Sequence, residues 1–185
     1  MSHASEVVGH VPAGSDPVEY DRLRRRVLWS LPTGLYVLGS RSGDKRNFMT
    51  CNLAMQLALE PKVVGVSVER SAVTWRLVDE AGSFALSLVP RSERAIVRKF
   101  VKPSEHDPAA GTLAGEPYED APVTGAPVLS SGAGYLDCRV IGRLDLKSHT
   151  LFAGEVMAAG FGGSAGGAEG VAVLRMEDTR MNYGG

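Results

Sequence analysis

Gly34-Leu35-Tyr36-Val37-Leu38-Gly39-Ser40, then Arg41-Ser42-Gly43-Asp44, then Lys45-Arg46-Asn47-Phe48-Met49-Thr50-Cys51-Asn52 read as a strand, a tight turn and a returning strand. An apolar run of strand length, closed by Ser-Gly-Asp, is a hairpin signal. The returning strand carries an unusual load. Amides, a hydroxyl and a thiol at this density are costly in a half-buried strand unless they find hydrogen-bond partners. A solvent-facing strand would more often carry Lys or Glu. Two readings stay open from spacing alone. Asn47 and Asn52 are turn or bulge residues, or the row offers donors and acceptors to the rim of a flat heterocycle.

Outward from this hairpin the chain keeps a β texture. Lys62–Glu69, Ser83–Val89, Ala126–Ser131, Ala133–Leu146 (bent near Gly142), His149–Ala159 and Val171–Met176 have the composition of strands. Leu53–Leu59 is a mixed segment before Pro61. Short helices are expected over Ser71–Ala81 and Ser92–Val101, and 102–127, rich in glycine and proline, reads as a long excursion, a lid or a partner contact. Residues 1–15 read as a disordered tail. Asp16-Pro17-Val18-Glu19 then starts a helix, with Asp16 as N-cap and Glu19 closing a capping box. Val18, Leu23, Val27 and Leu31 give it an apolar stripe, and Arg22, Arg24, Arg25 and Arg26 a solvated face. There is no regular βα alternation, which disfavours a doubly wound parallel sheet. The expected fold is mainly β with peripheral α, an antiparallel barrel forming a single domain over 16–185.

Composition narrows the function classes. In 185 residues, 20 Lys+Arg against 21 Asp+Glu leave a formal net charge of -1, without the basic excess of a nucleic-acid binder. No apolar run approaches the ~20 residues that span a bilayer. Cys51 and Cys138 form no CxxC, so a disulfide framework or zinc site is not expected, and no other spacing offers a metal site. The first residues lack the basic-then-apolar pattern of a signal peptide, which points to the cytoplasm. Gly160–Ala165 satisfies GxGxxA and Gly162–Gly166 satisfies GxSxG. Neither is followed by a sequence able to sustain a helix, as both motifs require, so both are read as hairpin loop.

Two further blocks carry chemistry. Ser67-Val68-Glu69-Arg70-Ser71-Ala72-Val73-Thr74 lies where a buried strand ends and a helix begins. Free N–H groups there, with Arg70, Ser71 and Thr74, suit a phosphate monoester. The alternative is an ordinary Ser71 N-cap beside an exposed Arg70. Lys99 and Lys102, flanking Phe100, add positive potential or are simply solvated. His149 opens a late strand, and matters if it faces the pocket made by the first two blocks.

These blocks, in this order, resemble the flavin reductase-like, FMN-binding split-barrel family. The resemblance is carried by Pro32-Thr33-Gly34, Asn47-x-Met49-Thr50-Cys51-Asn52, Pro61, Ser67-Val68, Thr74, Phe84 and Phe100. It continues through Tyr135–Val140, His149–Val156 and the closing Met181-Asn182-Tyr183-Gly184-Gly185. It implies a six-stranded split barrel with Greek-key topology, a homodimer with FMN near the subunit interface, and hydride transfer from NADH or NADPH. The acceptor would be free flavin, a ferric complex or a partner oxygenase. Asn47, Met49, Thr50, Cys51 and Asn52 would line the isoalloxazine. Ser67, Val68, Glu69, Arg70 and Thr74 would hold ribityl and phosphate oxygens, with Phe100 and Lys102 added to the cofactor site. His149 would border the nicotinamide, and Cys51 would modulate the flavin or serve as a small buried core residue. One departure is visible: Lys147-Ser148 stands where many members have Gly-Asp before the histidine. The alternatives are a flavin-binding electron carrier without a nicotinamide site and a barrel that has lost its cofactor.

Overall fold

The computed structural model describes residues 9–162 and 170–179. The GxGxxA and GxSxG matches, the first eight residues and the closing 180–185 segment therefore lie wholly or partly outside the described residues. Two compact units are present, one built on the chain up to Pro32 and one spanning Thr33–Thr179.

In the first unit, α1 (Pro17–Trp29) starts as the sequence indicates: the Asp16 side chain accepts a hydrogen bond from the Glu19 N–H at 2.9 Å. Its apolar stripe is not a core face, because Val18, Leu23, Val27 and Leu31 are all exposed. The helix instead buries Asp21, paired with Arg24 and, at 2.6 Å, with Arg25.

The second unit is built on β1 (Tyr36–Ser42), β2 (Lys45–Cys51), β3 (Ala54–Ala58), β4 (Val63–Glu69), α2 (Val73–Ala81) and β5 (Ser83–Leu88). There follow β6 (His106–Asp107), β7 (Thr112–Leu113), β8 (Glu116–Asp120), β9 (Pro127–Leu129), β10 (Gly134–Leu146) and β11 (His149–Phe161). One seven-stranded sheet runs in the order β2-β1-β5-β10-β11-β4-β3, and every pairing in it is antiparallel. After β4 the chain crosses through α2 to place β5 beside β1, a Greek-key return. The outermost strands, β2 and β3, are consecutive in sequence with only Asn52 and Leu53 between them. Two residues reach no more than about 11 Å between the flanking Cα atoms. The sheet must therefore curl until its edges nearly meet, which makes it an open, split barrel.

Its interior holds Leu38, Cys51, Val66, Val68, Phe84, Leu86, Cys138 and Phe152, all nearly or fully buried. Each large side chain there contributes roughly 1.5–3 kcal/mol by leaving water. The seventh strand is β3, which the sequence shows only as a mixed segment. Its edge position and largely exposed side chains remove the alternation that marks a half-buried strand. Ser92–Val101 forms two 3-10 turns, Arg91–Glu93 and Ile96–Phe100, instead of a helix. In place of a strand over Val171–Met176 there are two isolated bridges, Gly34 to Arg175 and Pro90 to Val173. No helix among the described residues is long and apolar enough to cross a membrane.

The 102–127 excursion is a small packed sheet, β6-β7-β8-β9, anchored on β2. The Ser104 N–H donates to the Asn47 side-chain carbonyl at 2.7 Å, and Arg46 reaches Asp120 at 3.1 Å with its guanidinium over the Tyr118 ring. At its far end the fully buried Asp137 accepts the N–H groups of Val123 and Thr124 at 2.9 and 3.1 Å. Glycine at position 39 makes the attachment possible, since a Cβ there would sit 2.0 Å from the Pro127 carbonyl oxygen. Main chain cannot rotate out of the way as a side chain can, and forced overpacking costs about 1–3 kcal/mol. Gly39→Ala is expected to lower stability by that amount in urea unfolding, whereas Gly43→Ala, at a φ of 56° in open space, pays only the smaller left-handed backbone penalty.

Candidate functional site

Strand register brings together the three blocks singled out in the sequence. The Ser67 N–H donates to the Leu53 carbonyl at 2.8 Å, tying the link between the barrel edges to the end of β4. Across β4, Leu151 faces Ser67, Thr150 faces Val68 and His149 faces Glu69. The Asn47 amide donates to the Thr74 hydroxyl at 2.7 Å, joining β2 to the first turn of α2.

Burial separates the candidate residues into two groups. Asn47, Thr50, Cys51, Asn52, Val68, Thr74 and Phe100 are buried. The Asn47 amide also donates to the Phe48 carbonyl at 2.9 Å, and the Thr50 hydroxyl donates to the Val97 carbonyl. Phe100 packs edge-on against Phe48, ring centroids 5.1 Å apart. That contact lies on the face of β2 opposite Met49 and Cys51, which join the barrel core. Ser67 and His149 are half-buried, while Glu69, Arg70 and Lys102 are exposed.

At the start of α2 the N-cap is Ala72, not Ser71, and no side chain caps the helix. The Ser71 hydroxyl turns back to the Glu69 carboxylate at 2.9 Å. The first turn carries no acidic residue, so its N–H groups and the positive end of the dipole lack a side-chain counter-charge. Beside it, Arg70 donates its backbone N–H to the Ser148 carbonyl at 2.9 Å and lays its guanidinium over the Trp75 ring, 5.6 Å from the centroid. The indole N–H of Trp75 is buried and finds no hydrogen-bond partner among the described residues. Asp145 lies 3.9 Å from Arg70 and accepts a 2.9 Å hydrogen bond from the buried Thr150 hydroxyl. Uncapped helix N–H groups, a half-exposed guanidinium and an orphaned indole donor are a donor set suited to a phosphorylated ligand.

Trp75, Asp145 and Thr150 escaped the sequence reading. Asp145 stands four residues before His149, but only the β10–β11 hairpin folds it back toward Arg70. The departure at Lys147 has a conformational meaning: Lys147 adopts a φ of 56°, in the left-handed region. That is the first loop position of a two-residue hairpin, where glycine fits without strain. The Ser148 side chain meets His149 Nδ1 at 3.0 Å.

The curled antiparallel sheet thus carries a polar link at its split and, beside it, an uncapped helix start next to an arginine. The family model described as flavin reductase like domain matches residues 28–180, and the chain belongs to that family. It is 27% identical over 144 residues to an NADH-dependent FAD reductase of Streptomyces globisporus, covering 78% of each chain. It is 30% identical over 122 residues to a diflavin flavoprotein of Synechocystis sp., covering 65% of this chain and spanning only 21% of that longer protein. Among solved structures, the NADH:FAD oxidoreductase of Streptomyces globisporus in complex with NAD and FAD fragments superposes with a TM-score of 0.66 at 26% identity. The match covers 79% of this chain and 84% of that one.

Burial also decides the state of the cysteines. It pushes the Cys51 thiol from its ordinary 9.0 up to about 12, and the Cys138 thiol likewise to about 12. Both are therefore neutral thiols at physiological pH. Because the folded values lie above the unfolded one, their contribution to stability is complete below pH 9.0 and falls as pH rises toward about 12. Native protein at pH 8 is expected to leave both cysteines unreacted toward a thiol-disulfide reagent, with two equivalents titrating in urea. Fast modification of one native thiol would show that the buried arrangement opens.

Proposed function

We propose that the protein is an FMN-dependent oxidoreductase that passes a hydride from NADH or NADPH to flavin and on to an acceptor. Free flavin is the acceptor we favour, in keeping with the FAD reductase it resembles; a ferric complex or a partner oxygenase would use the same reduced flavin. The observation that carries the reading is the convergence of the 47–52, 67–74 and 149 segments at the split of the barrel. When bound, the flavin supplies the hydride-accepting ring.

The chain's own part is binding and orientation. Thr50, Cys51, Asn52 and Leu53 present the main chain at the split to the ring edge. Ser67, Glu69, Arg70 and the α2 N-terminus hold the ribityl and phosphate end. Asn47, Thr50, Val68, Thr74 and Phe100 act from behind as framework, since their side chains are buried and the polar groups of Asn47 and Thr50 already have internal partners. Met49 and Cys51 pack the barrel interior beneath the ring, and Lys102 adds positive potential at the surface. His149, half-buried beside Ser148, borders the nicotinamide side and orients it. The compartment we propose is the cytoplasm.

We also propose a homodimer. Met55 and Leu59 on or beside β3 are 66% and 71% exposed, and Ile141, Leu144 and Leu146 on β10 are about half exposed. Exposed apolar side chains on these strands support a subunit contact. Light scattering coupled to size exclusion is expected to give twice the 19.6 kDa chain mass, and a Leu144→Asp/Leu146→Asp variant to shift toward the monomer.

Flavin-reconstituted protein mixed anaerobically with NADH or NADPH is expected to lose its visible absorbance within seconds. Flavin that binds but does not bleach would assign the protein as an electron carrier. Failure to bind flavin at all would remove both readings.

A further inference from the structure

We propose that Asp145 is a built-in competitor for the phosphate end of the flavin, setting how readily the cofactor leaves. The inference rests on the flavin reading above and adds a role for a residue outside the three converging segments. Arg70 stands two residues before Ala72, the N-cap of the uncapped α2, and its charge is already shared. The Asp145 carboxylate sits 3.9 Å away, and the Trp75 ring lies beneath the guanidinium at 5.6 Å.

Asp145 is not a freely swinging surface acid. Its other oxygen accepts from the Thr150 hydroxyl at 2.9 Å, and Thr150 is fully buried in β11. Only the four residues 146–149 of the hairpin lie between the two, and Asp145 pairs directly across from Thr150 in the register. The carboxylate is thus held where an incoming phosphate must either displace it from Arg70 or share the guanidinium with it. Of the other polar side chains nearby, Glu69 is turned to the Ser71 hydroxyl at 2.9 Å, and Lys147 and His149 follow on the same hairpin. Asp145 is the acid within ion-pair distance of Arg70 among the described residues.

The pair is half exposed on both sides, at 46% and 47%, so the competition is modest. Exposed pairs of this kind are worth at most about 1 kcal/mol, which corresponds to about fivefold in affinity. That scale suits a flavin that exchanges with solution. Binding of a dianionic phosphate costs the loss of the Asp145 contact, whereas riboflavin, lacking the phosphate, leaves the contact in place.

Asn at position 145 keeps the oxygen that Thr150 bonds and removes the charge. Flavin affinities measured by fluorescence quenching should show FMN binding about two- to fivefold tighter to Asp145→Asn than to wild type, with riboflavin unchanged. In an Arg70→Gln background the same Asp145→Asn change should leave FMN affinity unaltered. Equal tightening in both backgrounds would mean that Asp145 acts only through its general field, and the competition would be wrong. Unchanged FMN affinity in the wild-type background, or an equal shift for riboflavin, would also overturn it. Wild-type protein that binds neither ligand would instead overturn the flavin reading itself.

Discussion

Two residues, Asn52 and Leu53, join the opposite edges of a seven-stranded sheet. Much of the rest of the molecule follows from that short link. A flat sheet of seven strands would hold its edges about 28 Å apart at the usual ~4.7 Å spacing, far beyond what two residues can bridge. Curling satisfies the link, creates the interior that Phe84, Phe152 and the valines fill, and leaves one seam where pairing is incomplete. The seam is pinned at the link itself, where the Leu53 carbonyl accepts the Ser67 N–H at 2.8 Å, so the geometry that closes the core also fixes the link against the end of β4.

The seam is stiffened from behind. Asn47 alone contacts three separate parts of the chain: the backbone of β2, the first turn of α2 and the start of the excursion. A buried amide with every strong site used is a costly thing to lose, since each orphaned partner costs about 1–3 kcal/mol. Its position means that α2, and with it Arg70 and the uncapped helix start, is held in register with the link by side-chain bonds as well as by strand pairing.

Much of this was legible in the sequence, and the reasons are local. The Gly34–Asn52 hairpin, the buried strand before Arg70 and the bend in β10 near Gly142 each rest on nearby residues, and each stands in the structure. What stayed hidden depended on partners distant in sequence. Nothing around Leu53–Leu59 shows that it is an edge strand, because an exposed apolar edge has no periodicity to read. The role of Asn47 was ambiguous for the same reason: its partners Thr74 and Ser104 lie 27 and 57 positions away. The 3-10 turns over 91–100 defeat a helical reading because tertiary contacts such as Phe48 with Phe100, not propensity, fix their shape.

The long β10–β11 hairpin has a further consequence, for how the chain resists unwanted sheet extension. β10 pairs with β5 as far as Arg139, Val140 adds one bond to the Gly82 carbonyl, and from Ile141 to Leu146 the strand has β11 on one side and, among the described residues, no strand on the other. An unpaired edge carrying exposed Ile141, Leu144 and Leu146 is a template for unwanted strand addition. Arg143 and Asp145 are interleaved along the same stretch, and Arg143 is tied to Asp79. Charges in those positions act as gatekeepers, making indiscriminate sheet extension unfavourable. The same hairpin that brings His149 to the site therefore carries its own protection against aggregation.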